Sequence, residues 1–312
     1  MAVAVRGLKS RDEYEQMLAA VAAGFGHEVE AVRRRFERHP PYELGNTRVT
    51  IVDGRIVSVV HVHVLRVRGR KGETWVMGAV GEVSTPPEHR HHGYSTMALQ
   101  DSIARMEGIG CDFSMLGTGI QAFYERLGWC RYPRDFITFD PAKVVLSEEG
   151  TSGLEVREID WHNDLSALQH IYEEHNRTKV GPLIRSEEYW REATSPRRRS
   201  GSSWVACGPG GPVAYLWGAA ELRVLELPHL DGEEDAARAL LHHALGVARE
   251  ESFKQVVVEE AVCPQASETA RAQSTEAVSR SVSENTMFRP VAPGFSIEFA
   301  PGELLYYGTD GF

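Results

Sequence analysis

Residues 86–99 read "PPEHRHHGYSTMAL", with Arg90, three histidines and Gly93 directly ahead of a helical first turn. Just downstream, "TMALQDSIARM" spaces Leu99, Ile103 and Met106 at i, i+4 and i+7, which is one buried face of a helix. Just upstream, "ETWVMGAVGEVST" (73–85) reads as a strand. A loop joining a strand to a helix start offers unpaired backbone N–H groups and the positive end of the helix dipole, which suits phosphate oxygens. Gly93 permits close backbone approach, and Arg90 adds a cation with a planar fork of donors. A metal needs ligands converging from different directions, whereas His89, His91 and His92 crowd one turn with no nearby Cys and no helical HxxxH. The stretch is therefore expected to cradle an anion and to hold no metal.

Working outward, "SRDEYEQMLAAVAAGF" (10–25) opens with Ser10 three residues before Glu13, a capping-box pattern, and continues at helical spacing. "RVTIV" and "RIVSVVHVHVLRV" flank Asp53-Gly54, a hairpin signal because both turn positions need positive φ. His61 and His63 lie two apart and share a strand face, fitting either substrate-pocket lining or plain surface. "CDFSMLGT" (111–118) is a further strand, and "GIQAFYERLGW" (119–129) a short helix closed by Gly128. The predicted order is helix, three-strand meander, helix, strand, helix.

The chain has 312 residues, 42% of them hydrophobic and 25% charged, which suits two domains with ordinary cores. No apolar run approaches the ~18 to 20 residues of a membrane span, and the first residues lack a secretory apolar stretch, so a cytoplasmic location and no membrane partner are expected. Cys111, Cys130, Cys207 and Cys263 lie far apart, as reduced and mostly buried structural thiols would. Residues 1–150 hold 19 basic and 19 acidic residues, so the whole net charge of −10 falls on residues 151–312. Nucleic acid is an unsuitable partner for such a chain. The acidic half either attracts a cationic small molecule or serves as a solubilising surface.

The stretch "VSTPPEHRHHGYSTMAL" resembles the acetyl-CoA loop of the GNAT superfamily of N-acetyltransferases, whose pattern is Arg or Gln, two residues, Gly, one residue, then Gly or Ala. Here it runs Arg90-His91-His92-Gly93-Tyr94-Ser95, and Ser95 departs from the last position while remaining small. "AFYERLGW" resembles the second superfamily signature, in which a tyrosine lies beside the thioester sulfur. The motif resemblance covers residues 45–132. The chain also resembles tandem proteins similar to the mycobacterial "enhanced intracellular survival" acetyltransferase, a resemblance that implies a like architecture extending to about residue 290.

Residues 151–312 repeat the order of the first half: "LEVREIDWHNDLSALQHIYEEH" gives a strand and helix, a hairpin surrounds Gly-Pro-Gly-Gly, "EEDAARALLHHALGVAREE" is a helix and "FKQVVVEEAV" a strand. The expected fold is α/β, two tandem GNAT domains over 1–150 and 151–312, each a mixed, mostly antiparallel sheet flanked by helices, the second ending in a short C-terminal tail. At the position of the phosphate loop the second half carries Asp231, Glu233, Glu234 and Asp235, which would repel a cofactor's phosphates. It is expected to be a degenerate copy without a second CoA. "SEEGTSG" (147–153) has linker composition, "SPRRRSGSS" (195–203) reads as a basic surface loop, and residues 265–286 as either a solvated helix or an insertion ordered on binding.

The resemblance implies transfer of an acetyl group from acetyl-CoA, the acyl donor, to a primary amine. Loop residues Arg90, His91, His92, Gly93, Tyr94 and Ser95 would hold the pyrophosphate. Backbone amides at Val83, Ser84 and Thr85 would hold the pantetheine and the carbonyl oxygen. Tyr124 is the candidate acid for the leaving sulfur, since an ordinary phenol stays protonated at neutral pH. For the base the candidates are Glu82, the strand histidines acting through water, and the terminal carboxylate of Phe312, which the resembling subgroup uses. The expected acceptor is a small cationic amine, aminoglycoside-like or a polyamine. The alternatives are a protein or peptide amine, or a CoA-binding sensor without turnover. Related tandem proteins assemble, so self-association is expected.

Overall fold

The computed structural model describes residues 2–36, 43–146, 153–193, 202–219, 222–296 and 298–310. Its first half contains β1 (Val3–Gly7), α1 (Arg11–Phe25), α2 (Val29–Phe36), β2 (Thr47–Val52), β3 (Arg55–Arg68) and β4 (Thr74–Ser84). There follow α3 (Tyr94–Gly108), β5 (Phe113–Gly117), α4 (Gln121–Glu125) and β6 (Cys130–Phe139). The second half contains β7 (Glu155–Glu158), α5 (Leu165–Asn176), α6 (Glu187–Ala193), β8 (Ser203–Gly208), β9 (Gly211–Ala219) and β10 (Arg223–Glu226). It ends with α7 (Glu234–Glu250), β11 (Val256–Glu259), α8 (Gln265–Arg271) and β12 (Val278–Pro290).

Local chemistry explains the boundaries. The Ser10 hydroxyl accepts the Glu13 amide at 3.2 Å and the Glu13 carboxylate accepts the Lys9 amide at 2.8 Å, so α1 starts with its orphan donors satisfied. Asp53 and Gly54 take φ of 46° and 82°, as a tight primed turn between β2 and β3 requires. The sequence reading lacks β1, α2, β6 and α6, all short or interrupted in pattern.

Among the described residues twelve strands form one sheet in the order β1-β2-β3-β4-β5-β12-β6-β11-β10-β9-β8-β7. The two halves exchange their last strands. β12 from the second half inserts beside β5, pairing Met287 with Leu116, while β6 from the first half pairs with β11, setting Val257 against Thr138. An apolar cluster accordingly draws on both halves, with Phe113 and Tyr132 beside Tyr172, Trp217 and Tyr307. The polar segment 265–286 is neither of the two alternatives expected for it: it holds α8 and most of β12. Val278 to Ser283 pair with β6 while their side chains stay largely in water, so neither face shows apolar alternation.

Cys111 and Cys263 are buried, but Cys130 is exposed and Cys207 half-buried, so only two of the four thiols fit the buried expectation. Residues 147–152 of the linker and 195–201 of the basic loop lie outside the described residues. Among the described residues no helix is long and apolar enough to cross a membrane.

Candidate active site

The site is built where β4 and β5 part. They run parallel only from Met77–Phe113 to Ala79–Met115, and beyond that, among the described residues, the edge of β4 has no strand partner on that side. Against β3, Val59 pairs with Ser84 and His61 with Gly81, so Glu82 and Val83 together face Val60. This bulge puts Glu82 at φ 51°, a left-handed conformation that a non-glycine residue adopts only when its surroundings impose it.

That strand end is braced from three sides. The Ser58 hydroxyl lies 3.1 Å from the Ser84 carbonyl oxygen and 2.9 Å from the Thr85 hydroxyl. Helix α1 approaches so closely that a Cβ on Gly24 would collide with the Ser84 hydroxyl. Arg90 donates from Nε to the Thr85 carbonyl at 3.1 Å and from Nη2 to the Gly24 carbonyl at 2.9 Å. Its guanidinium, expected to face phosphate, therefore also ties the loop to β4 and α1.

After one short turn at Pro87–His89, His91 and Gly93 take φ of 65° and 77°, and α3 begins. The first helical bond runs from the Met97 amide to the Gly93 carbonyl at 3.1 Å, so the amides of Tyr94, Ser95 and Thr96 have no acceptor within the helix. His91, His92 and Gly93 are exposed. Tyr94 is buried, its carbonyl accepting from the Thr50 hydroxyl at 2.9 Å, and its ring stacks on His92 at 5.4 Å. Tyr94 thus anchors the helix start by its ring and offers the gap only its amide. A Cβ on Gly93 would meet nothing within 4 Å, so the glycine is needed for its backbone angle alone. Gly93→Ala is expected to raise the KM for acetyl-CoA roughly tenfold, the equivalent of about 1–2 kcal/mol of left-handed strain, with kcat little changed. Initial rates against acetyl-CoA concentration check this.

Tyr124 packs with Val80 of β4 and Leu116 of β5, the strands bordering the gap. Phe123 and Trp129 meet its ring edge-on at 5.0 and 6.1 Å. Among the described residues no side chain or carbonyl takes its hydroxyl, and burial pushes the phenol up to about 12. Helix α4 is held in place by Gln121, which donates to Asn285 of β12 at 3.0 Å, and by Gly128 at φ 89°. The exchanged strand thereby helps to set the tyrosine.

His61 and His63 are both buried, which removes the plain-surface alternative. Their rings meet at 4.3 Å, and His61 Nδ1 lies 2.7 Å from the Thr47 hydroxyl. They sit on the face of β3 opposite Val60 and Val62, which pack under α3. His61 pairs with Gly81, directly before the bulge. Phe312 lies outside the described residues. Among the described residues no group of three His, Cys, Asp or Glu is disposed to hold a metal.

The second half repeats the frame with different contents. β10 and β11 are parallel, and β10 shifts register between Val224 and Glu226. Gly232 has φ 84°, yet Glu233 occupies the N-cap position of α7 without a side-chain capping bond and Glu234 and Asp235 fall in its first turn, so negative charge is already concentrated at the helix's positive end. Glu226 is fully buried and accepts from Arg185 Nη2 at 3.0 Å, and Arg185 also bonds Asp310 at 3.0 Å through Nε. This cluster went unseen in the sequence because its three members come from three distant segments and share no motif.

Residues 4–131 match the family model described as the acetyltransferase (GNAT) domain. No curated protein sequence matches the chain. Among solved structures, a probable N-acyltransferase from Enterococcus faecalis superposes with a TM-score of 0.72 at 19% identity, covering 93% of this chain and 73% of its own. A GCN5-related N-acetyltransferase from Kribbella flavida gives 0.70 at 18% identity, with 93% and 71% covered. Eis1 from Mycobacterium abscessus gives 0.64 at 18% identity, with 93% and 74% covered.

Proposed function

We propose that the protein, whose residues 4–131 match the acetyltransferase (GNAT) domain model, moves an acetyl group from acetyl-CoA to the primary amine of a small cationic acceptor. The observation that carries this reading is the parting of β4 and β5 beside a helix start whose first amides have no acceptor within the helix, with Tyr124 in one apolar cluster with Val80 and Leu116 of those strands. The amides of Tyr94 to Thr96 and the loop before them receive the pyrophosphate, and Arg90 keeps that loop fixed to the strand end. The pantetheine lies along the open edge of β4, whose amides near Val83 to Thr85 stabilise the thioester oxygen as it gains charge. A neutral amine attacks the carbonyl carbon, the C–N bond forms, the C–S bond breaks, and Tyr124 gives its proton to the sulfur. Glu82, held at the bulge next to His61, takes the proton that the amine loses.

The acidic second half packs against the face of β4 and β5 opposite α3, which favours a cationic acceptor. The carboxylates at the start of α7 support a single cofactor site per chain. Thiol release from acetyl-CoA across aminoglycosides, polyamines and lysine peptides tests the reading, with Glu82→Gln run alongside. Turnover with a small polyamine or aminoglycoside, reduced about tenfold in Glu82→Gln, is expected. Turnover with lysine peptides alone would make the acceptor a protein amine, and acetyl-CoA binding without thiol release would make the chain a sensor.

A further inference from the structure

A cleft of about 660 Å³ opens in the second half, between the edge strand β7, the start of β8 and the end of α7. Its size lies within the usual range for small-molecule sites. It is separate from the acetyl gap: β8 is six strands from β5 in the sheet, about 29 Å at the usual interstrand spacing.

The walls have one chemical character. Trp161, Trp204 and Phe253 supply aromatic surface, and His243 stands edge-on to Trp204 at 5.1 Å. Burial lowers the His243 imidazole from its ordinary range, which disfavours its charged form. Glu158 and Glu251 also line the cleft, both exposed, and among the described residues neither is in an ion pair. Among the described residues the one lining arginine or lysine, Arg157, is already committed, bonding both oxygens of Asp164 at 2.7 and 2.8 Å. Aromatic faces beside carboxylates attract a positive charge carried on an apolar body, and a compact anion would be repelled. The surrounding half carries the chain's entire net negative charge, which draws such a cation in.

We propose that this cleft binds a small organic ammonium ion at a site distinct from the acetyl-transfer gap, its charge set against the aromatic walls and between Glu158 and Glu251. The site is independent of the acetyl-transfer reading, since it shares no residue with it.

The test is a tryptophan-emission titration of the full chain with choline and with its neutral isostere 3,3-dimethyl-1-butanol, in the absence of acetyl-CoA. The proposal expects saturable binding of choline, at least tenfold weaker binding of the alcohol, and at least a tenfold loss of choline affinity in the double variant Glu158→Gln/Glu251→Gln. Both substitutions fall on exposed side chains, and far-ultraviolet circular dichroism checks that the variant keeps its fold. No saturable response to choline, equal binding of the alcohol, or unchanged choline affinity in the folded double variant would each overturn the proposal.

Discussion

Tyr124→Phe lowers kcat by about 10²- to 10³-fold while leaving the KM for acetyl-CoA within about twofold, the range set by loss of a positioned general acid. The split follows from where the hydroxyl sits. The ring is packed between Phe123 and Trp129, and phenylalanine fills the same space, so the gap and the phosphate loop keep their shape. The hydroxyl bonds no described residue, so its removal leaves no buried partner unsatisfied. On the proposed mechanism, what is lost is the proton for the departing sulfur. Because burial raises the phenol to about 12, the proton-bearing form dominates at every lower pH. The deficit of the variant is therefore constant between pH 6 and 9, and an alkaline fall from Tyr124 itself begins only as pH approaches 12. Steady-state rates of both proteins over that range check the result. An undiminished kcat would make Tyr124 a packing residue.

Arg185→Met destabilises the protein by about 3–5 kcal/mol, the cost of removing one partner from a buried ion cluster. Arg185, Glu226 and Asp310 have side chains with no exposure, and one cation there serves two carboxylates. The guanidinium also lies 3.9 Å from the Tyr172 ring centre and 4.8 Å from that of Trp190, so methionine fills the volume without replacing the charge. Asp310 fastens the segment after Leu304, whose residues 304–307 are buried against α5 and its neighbours.

The pH dependence has a definite sign. Burial raises the Glu226 carboxyl, with Arg185 opposing that rise, so the folded state holds this proton more readily than the unfolded chain. A raised carboxyl contributes stability below its unfolded range and loses it as pH climbs. Without Arg185 the rise is larger, and the variant's deficit is greater at pH 8 than at pH 5. Denaturant unfolding at the two pH values measures it. A loss under about 1 kcal/mol, or a deficit independent of pH, would show that the cluster is not the anchor. Asp310→Asn, which removes the surplus negative charge, costs less than Arg185→Met.

The parts of the site that were legible in the sequence are those specified by local chemistry. Gly93 announces a positive φ, Leu99, Ile103 and Met106 announce the buried face of α3, and Asp53-Gly54 announces its turn. Arg90 was found by the same motif, but its two bonds to Thr85 and Gly24 depend on how α1 docks, which no nearby residue encodes. The bulge at Glu82 is likewise a property of the β3–β4 register and not of the residue. β12 stayed hidden because its polar half is solvated on both faces, and because a strand's place in the sheet is set by partners more than 130 residues away, as with Val282 opposite Asp135. Exchange of β6 and β12 joins segments that sequence order keeps apart.

The central claim is that one chain holds one acetyl-CoA, in the gap between β4 and β5. Calorimetric titration of the full chain with CoA tests it most directly, because stoichiometry separates the two halves without reference to any acceptor. One CoA per chain, weakened about tenfold by Gly93→Ala, is the predicted result. Two per chain, or a single site indifferent to Gly93→Ala, would contradict it.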